Sequence, residues 1–499
     1  VIINDGTFSE GYTYDAENWG MYQIYSGDKA KVTVNGGDFS QEWDCANGYD
    51  LCTGAEGTIE IYGGVFADNP ASQNGKNFVA EGYKAVKAAD GETYVVLPNT
   101  DNYDIVITDP AQLKGEVLTN YDNILLQLSA GKHTIDLYMS ASFDANLTII
   151  GTKGTKVEFA EQQVMMALVK NFTIKNCEIL HMATKSWGHI VFGSGNKADG
   201  VYTIENCTFN GVGTQGIYIN ENTTGATYNI LNCTFNGDFD NIDGKDGAIT
   251  IQTNKGVNHI VNVEGCKFNN IPGTCHRIFL APNDGLFYDF TLNTDLKATT
   301  AYELKMFLAL GQENVVVAND ITIDQINLRD RNKNVIIDCN NKTITTTAEY
   351  GVVINAGGWS SVELKNANIK MTRNGDYQIY AAGFKIENGD YTGKTIKLDN
   401  CTITMANTDW AYAINMPASV TNLNLDVNEC ALTGAIALQC WGDSNEINID
   451  NSELICNYTT NALYTSYCLA FQNNGTSVAE SNTLKVTKSK FNYIGVDNF

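Results

Sequence analysis

Apolar and polar positions along the chain repeat a short alternating phrase. FTIKNCEI (172–179), YTIENCTF (202–209), YNILNCTF (228–235) and VNVEGCKF (261–268) each place an apolar residue at every second position. Each then breaks at Asn or Gly, passes a small residue and returns to an apolar one. The phrase resumes as VELKNANI (362–369), IKLDNCTI (396–403), LDVNECAL (425–432), INIDNSEL (447–454) and LKVTKSKF (484–491). The chain opens on a Gly version, VIINDGTF (1–8), VTVNGGDF (32–39) and IEIYGGVF (59–66). Alternation with period two marks a half-buried strand, and Asn or Gly suits the left-handed backbone of a sharp corner. In YTIENCTFNG the pattern predicts Tyr202, Ile204 and Phe209 inside, with Asn206 and Cys207 forming the corner.

A second strand follows within each period, as in HIVFGSGN (189–196), GIYINEN (216–222), AITIQTN (248–254), GVVINAGG (351–358) and AIALQCWG (435–442). Asn220, Gln252, Asn355, Gln439 and Gln472 close these strands and predict a parallel polar ladder. Units of this length have no room for a long helix and cannot bury an apolar face alone, so they must stack on their neighbours. The expected fold is all-β, a parallel β-helix solenoid.

Two breaks punctuate the repeats. Residues 67–100 carry no phrase and end in a hairpin signal; at 295–345 the one convincing amphipathic helix appears, TAYELKMFLALG, with Leu304, Phe307 and Leu308 on one face. The organisation expected is a first solenoid segment with its terminator hairpin at 1–100, a second at 101–294 and a third at 295–499. The third opens on a capping helix near 302–311 that shields an unpaired edge.

Composition agrees and excludes several classes. The 499 residues include 45 Gly and only 6 Pro, and no apolar run reaches the ~18 residues of a membrane span. A net charge of −25 leaves nothing to neutralise phosphates, which excludes a nucleic-acid partner. Thirteen Cys without CxxC pairs suit neither zinc nor a disulfide framework. Cys177, Cys207, Cys233, Cys266, Cys401 and Cys430 share one repeat position, as buried thiols would, and this favours folding in a reducing compartment. Cys45 with Cys52, and Cys440 with Cys456 or Cys468, stay open as pairs.

On these residues the chain resembles the right-handed parallel β-helix proteins of the pectate-lyase-like superfamily. The stretch GGVFADNPASQNGKNFVAEGYKAVKAADGETYVV is similar to a terminator of gut-bacterial surface proteins and of the tail or fibre proteins of their phages. VIIDCNNKTIT resembles their usual solenoid opening, with Asn341 where Gly is typical. The resemblance implies right-handed coils. For enzymes of this fold it implies clustered carboxylates for Ca²⁺ and an Arg or Lys base; this chain has only Arg277, Arg329, Arg331 and Arg373.

Candidate chemistry is sparse. GDFDNIDGKDG (237–247) gathers Asp238, Asp240, Asp243 and Asp246, either a loose calcium loop or a solvated turn; its spacing misses the EF-hand pattern. Two carboxylates on adjacent coils could serve a glycosidase, which makes Asp243 and Asp246 catalytic candidates. His181 and His189 flank Trp187 in HMATKSWGHI, the most enzyme-like stretch. Trp187, Trp359, Trp410 and Trp441 fall near strand ends, where their rings could stack on sugars or cap the core.

Three functions compete. The first is a non-catalytic fibre, spike or adhesin, a virion component that displays loops to a cell-surface glycan or protein receptor, as one chain, a homo-oligomer such as a trimer, or a larger assembly. The second is a polysaccharide lyase or glycoside hydrolase. The third is a bacterial cell-surface protein. The first is the preferred expectation, with no required cofactor or metal, a peripheral calcium ion at the Asp238–Asp246 loop being the alternative, and with a virion, extracellular or cell-surface location.

Overall fold

The computed structural model describes residues 1–8, 22–41, 50–136, 143–159, 169–181, 188–192, 199–221, 225–240, 246–253, 258–281, 290–372, 381–406, 411–458, 467–471 and 482–495. Among them the chain is mostly strand, with two short α-helices, Gly115–Asn120 and Ala301–Ala309. No described helix is long and apolar enough to cross a membrane. The chain forms two compact units, Val1–Asp295 and Leu296–Phe499.

In unit one the phrase folds as the alternation predicts. Val201–Glu205 and Thr208–Val212 are two strands separated by Asn206, whose φ is 53°. The same position is left-handed at Asn176, Asn232 and Gly265, and in unit two at Asn366, Asn400, Glu429, Asn451 and Lys488. Beyond the corner the chain crosses to a third strand, Ile217–Glu221, before the next repeat begins at Thr227. Each strand pairs in parallel with its equivalent one repeat later: Tyr202 with Tyr228, Phe209 with Phe235, and Ile217 with Ile249. The result is three parallel sheets of eight, six and four strands, each extended by one strand per repeat.

In-register stacking places like on like. Phe209, Phe235 and Phe268 form a column with ring centroids 4.9 and 5.0 Å apart, and Tyr202 lies 5.3 Å from Tyr228. Tyr202, Ile204 and Phe209 are buried as expected. Outward columns hydrogen-bond instead. Asn146 Nδ2 donates to Asn123 Oδ1 at 2.8 Å, and Asn171 Nδ2 to Asn146 Oδ1 at 2.7 Å. Asn210, Asn236 and Asn269 repeat the device at 3.0 and 2.9 Å, and Asn229, Asn262 and Asn293 at 2.7 Å each. The expected second-strand ladder forms only in part: Asn220 and Gln252 are register partners, as are Asn415 and Gln439, whereas Gln439 meets Ala470 in the next repeat. Gln252 accepts from the Tyr218 hydroxyl, Asn355 exchanges bonds with Asp330 at 2.8 Å, and Gln439 accepts from Asn415. Gln472 and the Asn220 side chain lie outside the described residues.

At the start of unit one, Ile2–Ile3, Lys31–Val34 and Thr58–Ile61 form a short parallel sheet. The antiparallel hairpin Tyr83–Lys87 and Tyr94–Pro98 then adds to Gly64–Phe66. Its Val95 and Leu97 share an apolar cluster with Val106 and Leu125.

Unit two opens on the helix Ala301–Ala309. Thr300 caps it by accepting from the Glu303 N–H, while Glu303 Oε2 reaches back to the Thr299 N–H and hydroxyl, both at 2.8 Å. Leu304, Met306, Phe307 and Leu308 are buried. A twelve-stranded sheet and a six-stranded sheet follow. Ile337, Leu364, Leu398, Val427 and Ile449 are successive register partners in one buried row.

All described cysteines are free thiols, including Cys52, Cys440, Cys456 and Cys468; Cys45 is not among the described residues. The corner thiols point back to the preceding repeat: Cys233 Sγ donates to Ile204 O at 3.5 Å, and Cys401 Sγ to Leu364 O at 3.2 Å.

The left-handed corners make a stability prediction. Glu429, exposed with φ 52°, holds a conformation that costs an ordinary L-residue roughly 1–2 kcal/mol and Asn less. Glu429→Asn is expected to stabilise the chain by about 0.5–1 kcal/mol, and Asn232→Val to destabilise it by about 1–2 kcal/mol. Urea unfolding midpoints that moved the other way would contradict this account.

Candidate functional site

Four successive repeats of unit one bring polar side chains together just before the third sheet. Ile190, Ile217, Ile249 and Ile278 are register partners, so the residues ahead of them converge: His189, Thr214 with Gln215, Asp246, and Cys275. All five are buried. The Gln215 side-chain N–H donates to Asp246 Oδ1 at 2.7 Å. His189 lies between two carbonyls, with Nδ1 3.0 Å from Gln215 O and Nε2 3.0 Å from Asn210 O. The half-buried His181 ring lies 5.2 Å away, tilted by 54°.

Both nitrogens of His189 face backbone carbonyls, not open space, and the neutral ring can donate to only one of the two oxygens. Burial pushes its imidazole down to about 4, against the pull of the two carbonyls, which favour the charged ring. His189 is a positioned plug between Phe209 and Phe239, with ring centroids 5.9 and 6.0 Å away. Asp246 has a different neighbourhood. Its charge adds to burial in pushing the Tyr218 hydroxyl up to about 12. Burial, helped by Asp238, Asp240 and Asp246, pushes the Cys275 thiol up to about 11. Asp238, Asp240 and Asp246 therefore all lie near enough to Cys275 to act on its thiol. Asp238 Oδ1 accepts from the Asp240 N–H at 2.9 Å, a local turn bond. Among the described residues no group of three His, Cys, Asp or Glu is placed to hold a metal ion. Asp243 lies outside those residues.

The tryptophans separate. Trp359 is buried, with Nε1 donating to Asn355 O at 3.0 Å; Lys394 Nζ sits 5.1 Å over its ring and Tyr391 packs 6.0 Å away. Such a ring has no face to offer a sugar. Trp441 is half-buried, and Trp187 and Trp410 fall outside the described residues.

The arginines, on which a lyase would depend, are mostly structural. Arg331 is buried and donates to Leu308 O and Lys333 O at 3.0 Å, and to Gln312 O, tying down the carbonyls that end the helix. Arg329 pairs with Glu387, its Nε donating at 2.8 Å. Arg277 lies 5.7 Å over the Phe268 ring. Arg373 is outside the described residues.

Two concave surfaces offer more to a ligand. In unit two, a groove of about 420 Å³ crosses four successive strands of the long sheet, lined by Glu363, Lys397, Asp399, Asp426, Asn428, Asn448 and Asp450 with Leu398 and Val427. Register builds it: Glu363, Lys397, Asp426 and Asn448 are one outward row, and Asp399, Asn428 and Asp450 the next. Its polar groups are ordered in advance, because Asn428 Nδ2 donates to Asp399 Oδ1 at 2.5 Å and Asn448 Nδ2 to Asp426 Oδ1 at 3.0 Å. In unit one, a cleft of about 590 Å³ separates the turn Pro110–Gln112 from the strand Gly131–Ile135, lined by Asp109, Lys114, Lys132, His133, Thr134 and Asp136. Neither appears among the sequence candidates. The unit-two groove was findable by stacking VELK, IKLD, LDVN and INID and reading their polar columns.

Acid should weaken the fold through its buried imidazoles. Burial also pushes His259 down to about 4, beside the edge-on Tyr228 ring. Unfolded imidazoles titrate near 6.5, so between pH ~6.5 and ~4 the unfolded chain binds more protons. Stability from this source is complete above pH ~6.5 and lost as pH falls through ~4, on the order of 3 kcal/mol for each His. His259→Phe is expected to flatten the slope of unfolding free energy against pH in that window; an unchanged slope contradicts it. The chain matches no family model, no curated protein and no solved structure.

Proposed function

We propose that the chain is a right-handed parallel β-helix that serves as a display scaffold, a fibre, spike or adhesin-like element of a virion or cell surface. In this reading it binds a glycan or protein receptor without cleaving it. The solenoid segments 1–100, 101–294 and 295–499 belong to the same proposal.

The observation that carries the reading is the unit-two groove. In one row Asp399, Asn428 and Asp450 alternate carboxylate and amide at the strand spacing of about 4.8 Å, and in the other Lys397 stands between Glu363 and Asp426; Asp399–Asn428 and Asp426–Asn448 bonds already hold these groups. Such groups can both accept from and donate to sugar hydroxyls, and mounting them on strands costs little ordering when a ligand binds. The free corner thiols support assembly in a reducing compartment before display outside.

Incubation with a panel of neutral and charged polysaccharides, with and without Ca²⁺, tests the proposal. Saturable binding is expected without new reducing ends or ultraviolet-absorbing unsaturated products. Replacing Asp399 and Asp426 together by Ala should weaken that binding by about tenfold or more, equivalent to ~1.4 kcal/mol, and leave the melting temperature within a few degrees. Cleavage products would overturn the reading in favour of a polysaccharide-degrading enzyme.

A further inference from the structure

Four thiols stand in one row at the first corner of unit one: Cys177, Cys207, Cys233 and Cys266. Register fixes their spacing. Leu231 pairs with Glu264 and Thr234 with Lys267, so Cys233 and Cys266 are flanked on both sides by paired residues. They therefore sit one strand separation apart, about 4.8 Å. Disulfides span Cα separations of roughly 4.4–6.8 Å, so the backbone already lies within reach. The side chains share one orientation, since Cys233 Sγ donates to Ile204 O at 3.5 Å and Cys266 Sγ to Ile230 O at 3.4 Å.

Access distinguishes this pair from the rest of the row. Cys177, Cys207 and Cys233 are buried, whereas Cys266 is half-buried. The neighbouring Cys233 thiol holds the Cys266 thiol below its ordinary range, against the effect of burial. A reachable thiol with a second thiol behind it has the layout of an attacking and a resolving cysteine. Cys401 and Cys430 have the same spacing, between the pairs Asp399 with Asn428 and Thr402 with Ala431, but both are buried.

We propose that Cys266 and Cys233 form a dithiol modification site that takes small disulfides of the glutathione class. The Cys266 thiolate attacks one sulfur of oxidised glutathione; a mixed disulfide forms and one glutathione thiolate leaves. Cys233 then gives its proton to solvent and attacks the Cys266 sulfur. The second glutathione leaves, and the Cys233–Cys266 bond closes. Two protein thiols are oxidised by two electrons, and one glutathione disulfide is reduced to two thiols. Closure ties successive repeats together at the corner. It does not depend on what the chain binds.

The test incubates the folded chain with oxidised glutathione, blocks remaining thiols by alkylation and maps the peptides without reduction. A glutathione adduct on Cys266 is expected first, followed by the Cys233–Cys266 cross-link. Cys401 and Cys430 should be alkylated only after denaturation. Cys233→Ser, or Cys233→Ala if serine disturbs the corner, should stop the reaction at the Cys266 adduct, and Cys266→Ser should abolish both products. Circular dichroism confirms that each variant is folded. The proposal is overturned if Cys266 stays unmodified, if its adduct never resolves in the unaltered chain, or if Cys401 and Cys430 react as readily.

Discussion

To leave a strand, turn a corner and return in register about 4.8 Å from its starting line, the backbone must change direction within one residue. A left-handed residue does this, and it stands at the same place in repeat after repeat, from Asn176, Asn206 and Asn232 to Asn400 and Asn451. Everything else follows from it. With the corner fixed, Phe209 meets Phe235 and Phe268, Asn210 meets Asn236 and Asn269, and a thiol fits inside the bend. A shift of one residue would turn the Phe column outward and the Asn column into the core.

Such strictness explains what could be read from the chain alone. Alternation fixes which face of a strand is buried, so Tyr202, Ile204 and the helix face of Leu304, Phe307 and Leu308 were legible. The second-strand polar ladder was legible only in part, because a ladder needs polar residues at the same register in every repeat. Asn220 pairs with Gln252 and Asn415 with Gln439, but the next partner of Gln439 is Ala470. The exact alignment of third-sheet strands depends on how much chain intervenes, and those lengths vary.

The candidate site shows the same division. Asp246 and His189 were visible as residue types, yet Gln215 lies between them, and only the register reveals it. Trp359 looked like a sugar platform from its place near a strand end. Three-dimensional packing buries it, with Lys394 over the ring and Tyr391 tilted beside it. The unit-two groove is the reverse case: its acids and amides look like ordinary solvated strand residues until four repeats are laid side by side.

Pairing each strand with its equivalent one repeat later has a kinetic meaning too. Most of the contacts that hold a repeat come from 22 to 37 residues away along the chain, whatever the total length. The loop-closure entropy for adding a repeat is therefore modest and nearly constant from one to the next. Such a chain can grow outward from any repeat that forms first, each new strand templated by the edge of the last. Lengthening the array adds steps to folding without making any single step harder.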